Sequence, residues 1–255
     1  MPTSHAAGHP LGQAPQKVAL ITGAARRIGR TIALELARDG WSIGVHYRQS
    51  KAEAETLVGE LHALGVSAAA LQADLADFKA VQGLASDCAA ALGNPPTCLV
   101  NNASEFLLDS LGTLEEATWD THQSINLKAP VFLAQAMLKR LPHDVEGNII
   151  NIIDQRVWKL TPDFFSYTIS KAGLWTATRT LAQALAPRIR VNAIGPGPVL
   201  RSIHQTEAEF AAEQSSTLLG TGPSPQEIAA AVRFILAAPS MTGQMIALDA
   251  GQHLG

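Results

Sequence analysis

Short apolar runs and longer amphipathic stretches alternate along this chain from about residue 17 to its end. The runs at 17–22, 42–47, 67–72, 98–101, 148–153, 188–194 and 244–248 are mostly continuous rather than alternating. That pattern predicts strands buried on both faces of a parallel sheet. Helical spacing of apolar residues covers 27–39, 51–64, 77–92, 114–139, 165–186 and 225–237. In the first of these, Ile28, Ile32, Leu36 and Ala37 share one face, and Gly40 suits the C-terminal cap. The succession predicts one α/β domain, a doubly wound parallel sheet of about seven strands with helices on both faces. The segment 199–223, rich in Ser, Thr, Gln and Glu, breaks the rhythm and is expected to form a mobile lid over a site. Residues 1–15 are expected to be a flexible tail before a single domain spanning 16–255.

Composition narrows the classes. A chain of 255 residues that is 47% apolar can bury one large core. Its 19 Lys and Arg against 22 Asp and Glu leave a formal charge of -3, which argues against a general nucleic-acid or acidic-membrane binder. The two cysteines, Cys88 and Cys98, have no metal-type spacing and read as reduced thiols of a cytoplasmic protein without a metal site. No apolar run reaches membrane-spanning length, and the N-terminus lacks the apolar centre of a signal peptide.

The stretch Thr22-Gly23-Ala24-Ala25-Arg26-Arg27-Ile28-Gly29 joins the first strand to the first helix. Glycines there let a backbone approach a pyrophosphate, and first-turn N–H groups face the anion, as in a Rossmann-type fold. Gly23, Arg26, Arg27, Ile28 and Gly29 are therefore expected at a dinucleotide. The second strand ends in His46-Tyr47-Arg48-Gln49-Ser50, with no carboxylate to bind a ribose 2′-hydroxyl. Arg48 and Ser50, helped by Arg26, suit a 2′-phosphate instead, so the expected cofactor is NADP(H). Asp74 and Leu75 end the third strand, and Asn102, Ala103 and Ser104 follow the fourth, where open α/β sheets bind ligands. Pro196, Gly197 and Val199 are expected beside the nicotinamide.

Tyr167 and Lys171 stand four apart on one predicted helix and so share a face. An ammonium beside a phenol lowers its pKa from about 10 and makes a usable proton donor. The same spacing from Tyr47 to Lys51 spans a strand end and a helix start, and is read as accidental. Asp154 ends the fifth strand, and Asn126 lies within the predicted helix 114–139. Asn126 is either a satisfied helix-interior amide or, through a carbonyl or water bridge, an anchor for Lys171 in a proton relay; beside the other motifs the relay is favoured.

Thr22-Gly23 with Gly29, Asn101-Asn102-Ala103, Asn126, Tyr167 with Lys171, and Pro196-Gly197 occur in order over 17–251 and resemble the short-chain dehydrogenase/reductase family. The resemblance implies hydride transfer with the tyrosine as proton donor. It also implies a homotetramer or dimer built partly from helices 114–139 and 165–186. Arg27 and Ser104 stand where the family usually has Gly, Asp154 where it has Ser, and Arg201 where it has Thr; Ala250 replaces a common Gly. Arg27, Asn102-Ala103-Ser104 with Phe106, and Asp154 are similar to the pteridine reductase branch, which includes bacterial dihydromonapterin and dihydrofolate reductases. On that resemblance Arg27, Ser104, Phe106, Asp154 and Tyr167 would meet a small pterin-like substrate, with Phe106 covering one face of a flat heterocycle. A carbonyl reductase acting on a 3-oxoacyl thioester or other ketone is the first alternative. A non-catalytic NADPH-binding regulator is the second.

Overall fold

A computed structural model describes residues 17–255, and the expected tail at 1–15 lies outside the described residues. Seven strands form a single parallel sheet: β1 (Val18–Ile21), β2 (Ser42–Tyr47), β3 (Ala68–Gln72), β4 (Cys98–Asn101), β5 (Gly147–Ile152), β6 (Ile189–Pro196) and β7 (Met245–Leu248). Their order is β3-β2-β1-β4-β5-β6-β7. Successive strand residues point to opposite faces, and both faces are buried, which is why the runs are continuously apolar. Ala19, Ile21, Ile43, Val45 and Val100 pack toward helices α1 (Arg27–Arg38), α2 (Lys51–Ala63) and α8 (Pro225–Ala237). Val18, Leu20, Leu99, Ile149 and Val191 pack toward α3 (Phe78–Leu92), α5 (Ala129–Arg140) and the end of α6 (Phe165–Leu185).

Two elements differ from the pattern reading. The stretch expected as one helix over 114–139 is α4 (Glu116–His122), a π-helical turn Gln123–Lys128, and then α5. Pro130 has no N–H to offer the Asn126 carbonyl in α register, so the ladder shifts where Asn126 sits. Inside the expected lid lies α7 (Glu207–Ser215), which buries no residue and so shows no apolar stripe. Thr206 and Glu209 form a reciprocal capping box at its start, the one local signal for this helix.

The chain reverses direction of winding beside β1, whose neighbours are β2 on one side and β4 on the other. Loops leaving β1 and β4 diverge there and open a cleft at the C-terminal edge of the sheet. Cys88 and Cys98 are buried and unpaired, and burial pushes both thiols up to about 12. Among the described residues no helix is long and apolar enough to cross a membrane, and no cluster of His, Cys, Asp and Glu could hold a metal ion.

Candidate active site

The cleft is a cavity of about 750 Å³ running from the glycine turn to the start of α6. Its adenosine end is set by the turn after β1. Gly23 adopts φ +63, and a Cβ on Gly29 would lie 2.4 Å from the Gly23 carbonyl oxygen and 2.6 Å from Asn102 Nδ2. Thr22 Oγ1 accepts the N–H groups of Asn102 and Ala103 at 2.9 and 3.0 Å, which locks the two loops together. Helix α1 begins with no side-chain cap and no acid in its first turn, leaving its positive end open to the cleft. This is a cradle that fits a pyrophosphate and that side chains would fill.

Every residue expected at the cofactor lines this cavity except His46, Asp74 and Leu75. The His46 ring is buried beneath the turn, its Nδ1 accepting the Gly23 N–H at 3.0 Å and its Nε2 3.2 Å from the Ala73 carbonyl. It shapes the turn from below instead of facing a ligand, and burial lowers its pKa to about 4. Asp74 spends one carboxylate oxygen on the Ala76 N–H at 2.9 Å, and Leu75 is packed into the core. Arg48 is paired with Glu105 at 2.7 Å, and Arg26 lies 3.7 Å from Glu53, both pairs partly exposed.

Arg27 has φ +55, the left-handed region that glycine adopts freely. Ala250 has φ +53. The backbone thus keeps a glycine conformation at both places, and each side chain carries a strain on the order of 1–2 kcal/mol. The Arg27 guanidinium donates to the carbonyls of Leu200 and Arg201, both at 3.0 Å. In this structure it holds the start of the lid; contact with a cofactor phosphate or a substrate edge requires it to share or leave those bonds. His204 Nε2 reaches the Phe106 carbonyl at 3.2 Å and ties the same segment to the opposite wall.

At the other end, β5 delivers Asp154 and α6 delivers Tyr167 and Lys171. Asp154 caps a short 3-10 turn, Gln155–Val157, accepting the Arg156 N–H on Oδ1 at 2.8 Å. On Oδ2 it accepts the Tyr167 hydroxyl, also at 2.8 Å. Burial raises the Asp154 pKa above the usual carboxylate range. Burial and the Asp154 charge lift Tyr167 well above its ordinary value, opposed by the Arg156 charge and the Ser104 hydroxyl. The expected lowering of the phenol by Lys171 is therefore not what the geometry produces. Lys171 Nζ donates to the Ile152 carbonyl at 2.9 Å and stands 5.7 Å from the centre of the Tyr167 ring, while the carboxylate is in direct contact. Burial brings Lys171 down to about 8.

Asn126 makes four side-chain hydrogen bonds. Its Oδ1 accepts from the Ser104 hydroxyl and the Glu105 N–H at 3.1 and 2.9 Å. Its Nδ2 donates to the Glu105 carbonyl and Ser170 Oγ at 3.0 and 3.1 Å. The side chain pins the loop after β4 to α6, and the expected link to Lys171 is a carbonyl or water bridge, separate from these side-chain bonds. Phe106 stacks on Phe164 with centroids 4.1 Å apart and planes 10° apart, and meets the Tyr167 ring edge-on at 4.7 Å. A flat ligand would meet this aromatic pair, not a lone phenyl face. Glu105, His122, Phe164 and His204 escaped the sequence reading because their partners lie far away along the chain.

A family model described as short chain dehydrogenase matches residues 17–212. The chain belongs to the short-chain dehydrogenase family. Among solved structures, FolM alternative dihydrofolate reductase 1 from Brucella suis, in complex with NADP, is 49% identical with a TM-score of 0.91, the match covering 94% of this chain and 96% of that one. The Brucella canis counterpart, also complexed with NADP, is 48% identical with a TM-score of 0.88 over 94% and 95%. A curated relative, the 3-oxoacyl-[acyl-carrier-protein] reductase FabG of Staphylococcus aureus, is 33% identical over 93% of this chain and 98% of its own length.

Proposed function

We propose that this short-chain dehydrogenase is an NADPH-dependent reductase of a 7,8-dihydropterin, with Tyr167 donating or relaying the proton. The observation that carries the reading is the Tyr167 hydroxyl bonded to the carboxyl of Asp154 at the end of the cavity. In either protonation state the Asp154 carboxyl keeps an acceptor oxygen, which the ring N–H and amine groups of a pterin can meet and a ketone cannot. The likeness to the two FolM structures supports the same reading.

The glycine turn, Arg26 and Arg27 would hold the pyrophosphate, and Arg48 with Ser50 the 2′-phosphate, which competes with Glu105 for Arg48. Asn102, Ala103 and Lys171 would meet the riboses, and Pro196, Gly197 and Val199 the nicotinamide. NADPH supplies the hydride when bound. The substrate's C6=N5 bond accepts that hydride at C6 and a proton at N5. Tyr167 keeps its proton at neutral pH, so it serves as a donor; a protonated Asp154, donating in the reverse direction across the same 2.8 Å contact, would restore the proton. Lys171, held by the Ile152 carbonyl, would place its charge beside the ring. Phe106, Phe164 and Ser104 would flank the heterocycle. Association into a homotetramer or dimer through α4–α5 and α6 belongs to the same proposal, as does a cytoplasmic location.

The FabG relatives favour a second reading, reduction of a 3-oxoacyl thioester. Asp154→Ser separates the two. It should cut dihydropterin turnover by roughly 100-fold, the lower end of what a positioned acid supplies, and leave thioester turnover unchanged or raised. Unchanged dihydropterin turnover in this variant would remove the carboxyl from the account and favour the carbonyl reading.

A further inference from the structure

The loop between β4 and α4, residues 102–115, has almost no regular structure, yet it places Phe106 against Tyr167. Beyond Asn126, a second set of buried polar groups holds it. The Leu107 N–H donates to His122 Nε2 at 3.0 Å. His122 Nδ1 lies 2.6 Å from Ser166 Oγ, and the Ser166 hydroxyl donates to Asp109. The Asp109 carboxylate also accepts the Ser166 backbone N–H, at 3.2 and 3.3 Å from its two oxygens. His122 is 0% exposed, Ser166 0% and Asp109 3%.

Hydrogen accounting fixes a direction. Because the Leu107 N–H needs an acceptor, Nε2 carries no proton and Nδ1 carries the only one. Nδ1 then donates to Ser166 Oγ, whose own hydrogen goes to Asp109. Burial lowers the His122 pKa, in keeping with a neutral ring. Asp109 completes the arrangement at the start of α6. The N-cap residue Phe164 has φ +54 and makes no side-chain cap bond, and the first turn contains no acid. The Asp109 carboxylate, 57 residues before Ser166, takes that role at the positive end of the helix. The substrate loop thus caps the helix that bears Tyr167 and Lys171.

We propose that His122 is a positioning residue: by accepting the Leu107 N–H it fixes Phe106 edge-on to Tyr167 and so sets the width of the substrate slot. The choice of assay substrate rests on the dihydropterin reading; the geometry does not. Two variants divide the imidazole between its nitrogens. His122→Gln puts an amide oxygen near Nε2 and keeps an acceptor for Leu107. His122→Asn puts its amide near Nδ1 and keeps the Ser166 link alone. His122→Asn should raise KM for 7,8-dihydropterin roughly 10-fold, the scale of one unmet buried N–H, with NADPH Kd unchanged. His122→Gln should restore KM to within about three-fold of the parent enzyme. Equal KM values in the two variants, whether normal or raised, would overturn the proposal. Nitrogen-15 NMR of the unaltered protein gives a substrate-free and variant-free reading. A neutral His122 protonated at Nδ1 is expected, and a ring protonated at Nε2, or at both nitrogens at neutral pH, would overturn it. If the enzyme reduces no dihydropterin, that spectrum still decides the role of His122 while the functional reading falls separately.

Discussion

The Tyr167 hydroxyl donates to Asp154 Oδ2 at 2.8 Å, and burial raises the proton affinity of both groups. A phenol beside a carboxylate is a poor acid; a phenol beside a carboxylic acid can pass a proton on and be refilled. The two groups share one hydrogen bond, so the activity should follow the protonation of the carboxyl that refills the phenol. For a reduction that consumes a proton, kcat should be highest on the acid side and fall as pH rises through the pair's raised carboxyl pKa. Asp154→Asn should flatten that limb. A pH–rate series on both proteins checks it, and a limb unchanged by the substitution would assign the titration elsewhere.

Removing only the phenolic oxygen tests the donor. In Tyr167→Phe, Lys171 keeps its bond to the Ile152 carbonyl and the cradle at the glycine turn is untouched. Turnover should drop by roughly 10²–10⁴ while NADPH affinity stays close to that of the parent. Single-turnover kinetics with a separate binding titration reads both quantities.

His46 makes stability depend on acid. Its pKa is about 4 in the folded protein against 6.5 ordinarily, so between those values the unfolded chain takes up a proton that the folded one does not. Stability should therefore fall as pH drops from 6.5 toward 4, by up to about 3 kcal/mol from this group. His46→Asn retains an acceptor for the Gly23 N–H and should remove most of the slope. Urea unfolding at several pH values measures it.

Arg27→Gly pulls two properties in opposite directions. The left-handed backbone at this position is relaxed by glycine, but the two bonds to the Leu200 and Arg201 carbonyls are lost. The Tm should not fall, while amide exchange across residues 199–204 speeds up. A lower Tm with unchanged exchange would mean that the guanidinium stabilises the fold and not the lid.

The strands and most helix limits were legible because a sheet covered on both faces writes itself as apolar runs. The broken helix around Asn126 was hidden by one proline whose effect is on backbone register, not on apolar pattern. Helix α7 was hidden because it buries nothing. At the site, residue types and order placed Tyr167, Lys171, Asp154 and the glycine turn along one cavity. What the order could not show was partnership across the chain. Arg27 bonds to carbonyls 173 and 174 residues away, and His122 reaches Ser166 44 residues on. His46 reads as a cofactor contact by position, yet its neighbours in space turn it into a support for the turn.

The most direct test is the initial rate of NADPH oxidation with 7,8-dihydropterin and with a 3-oxoacyl thioester under identical conditions, with NADH run beside NADPH. The account predicts a kcat/KM at least about 100-fold greater for the dihydropterin, and a clear preference for NADPH. A thioester turned over faster than the dihydropterin, or NADH used as well as NADPH, would contradict it.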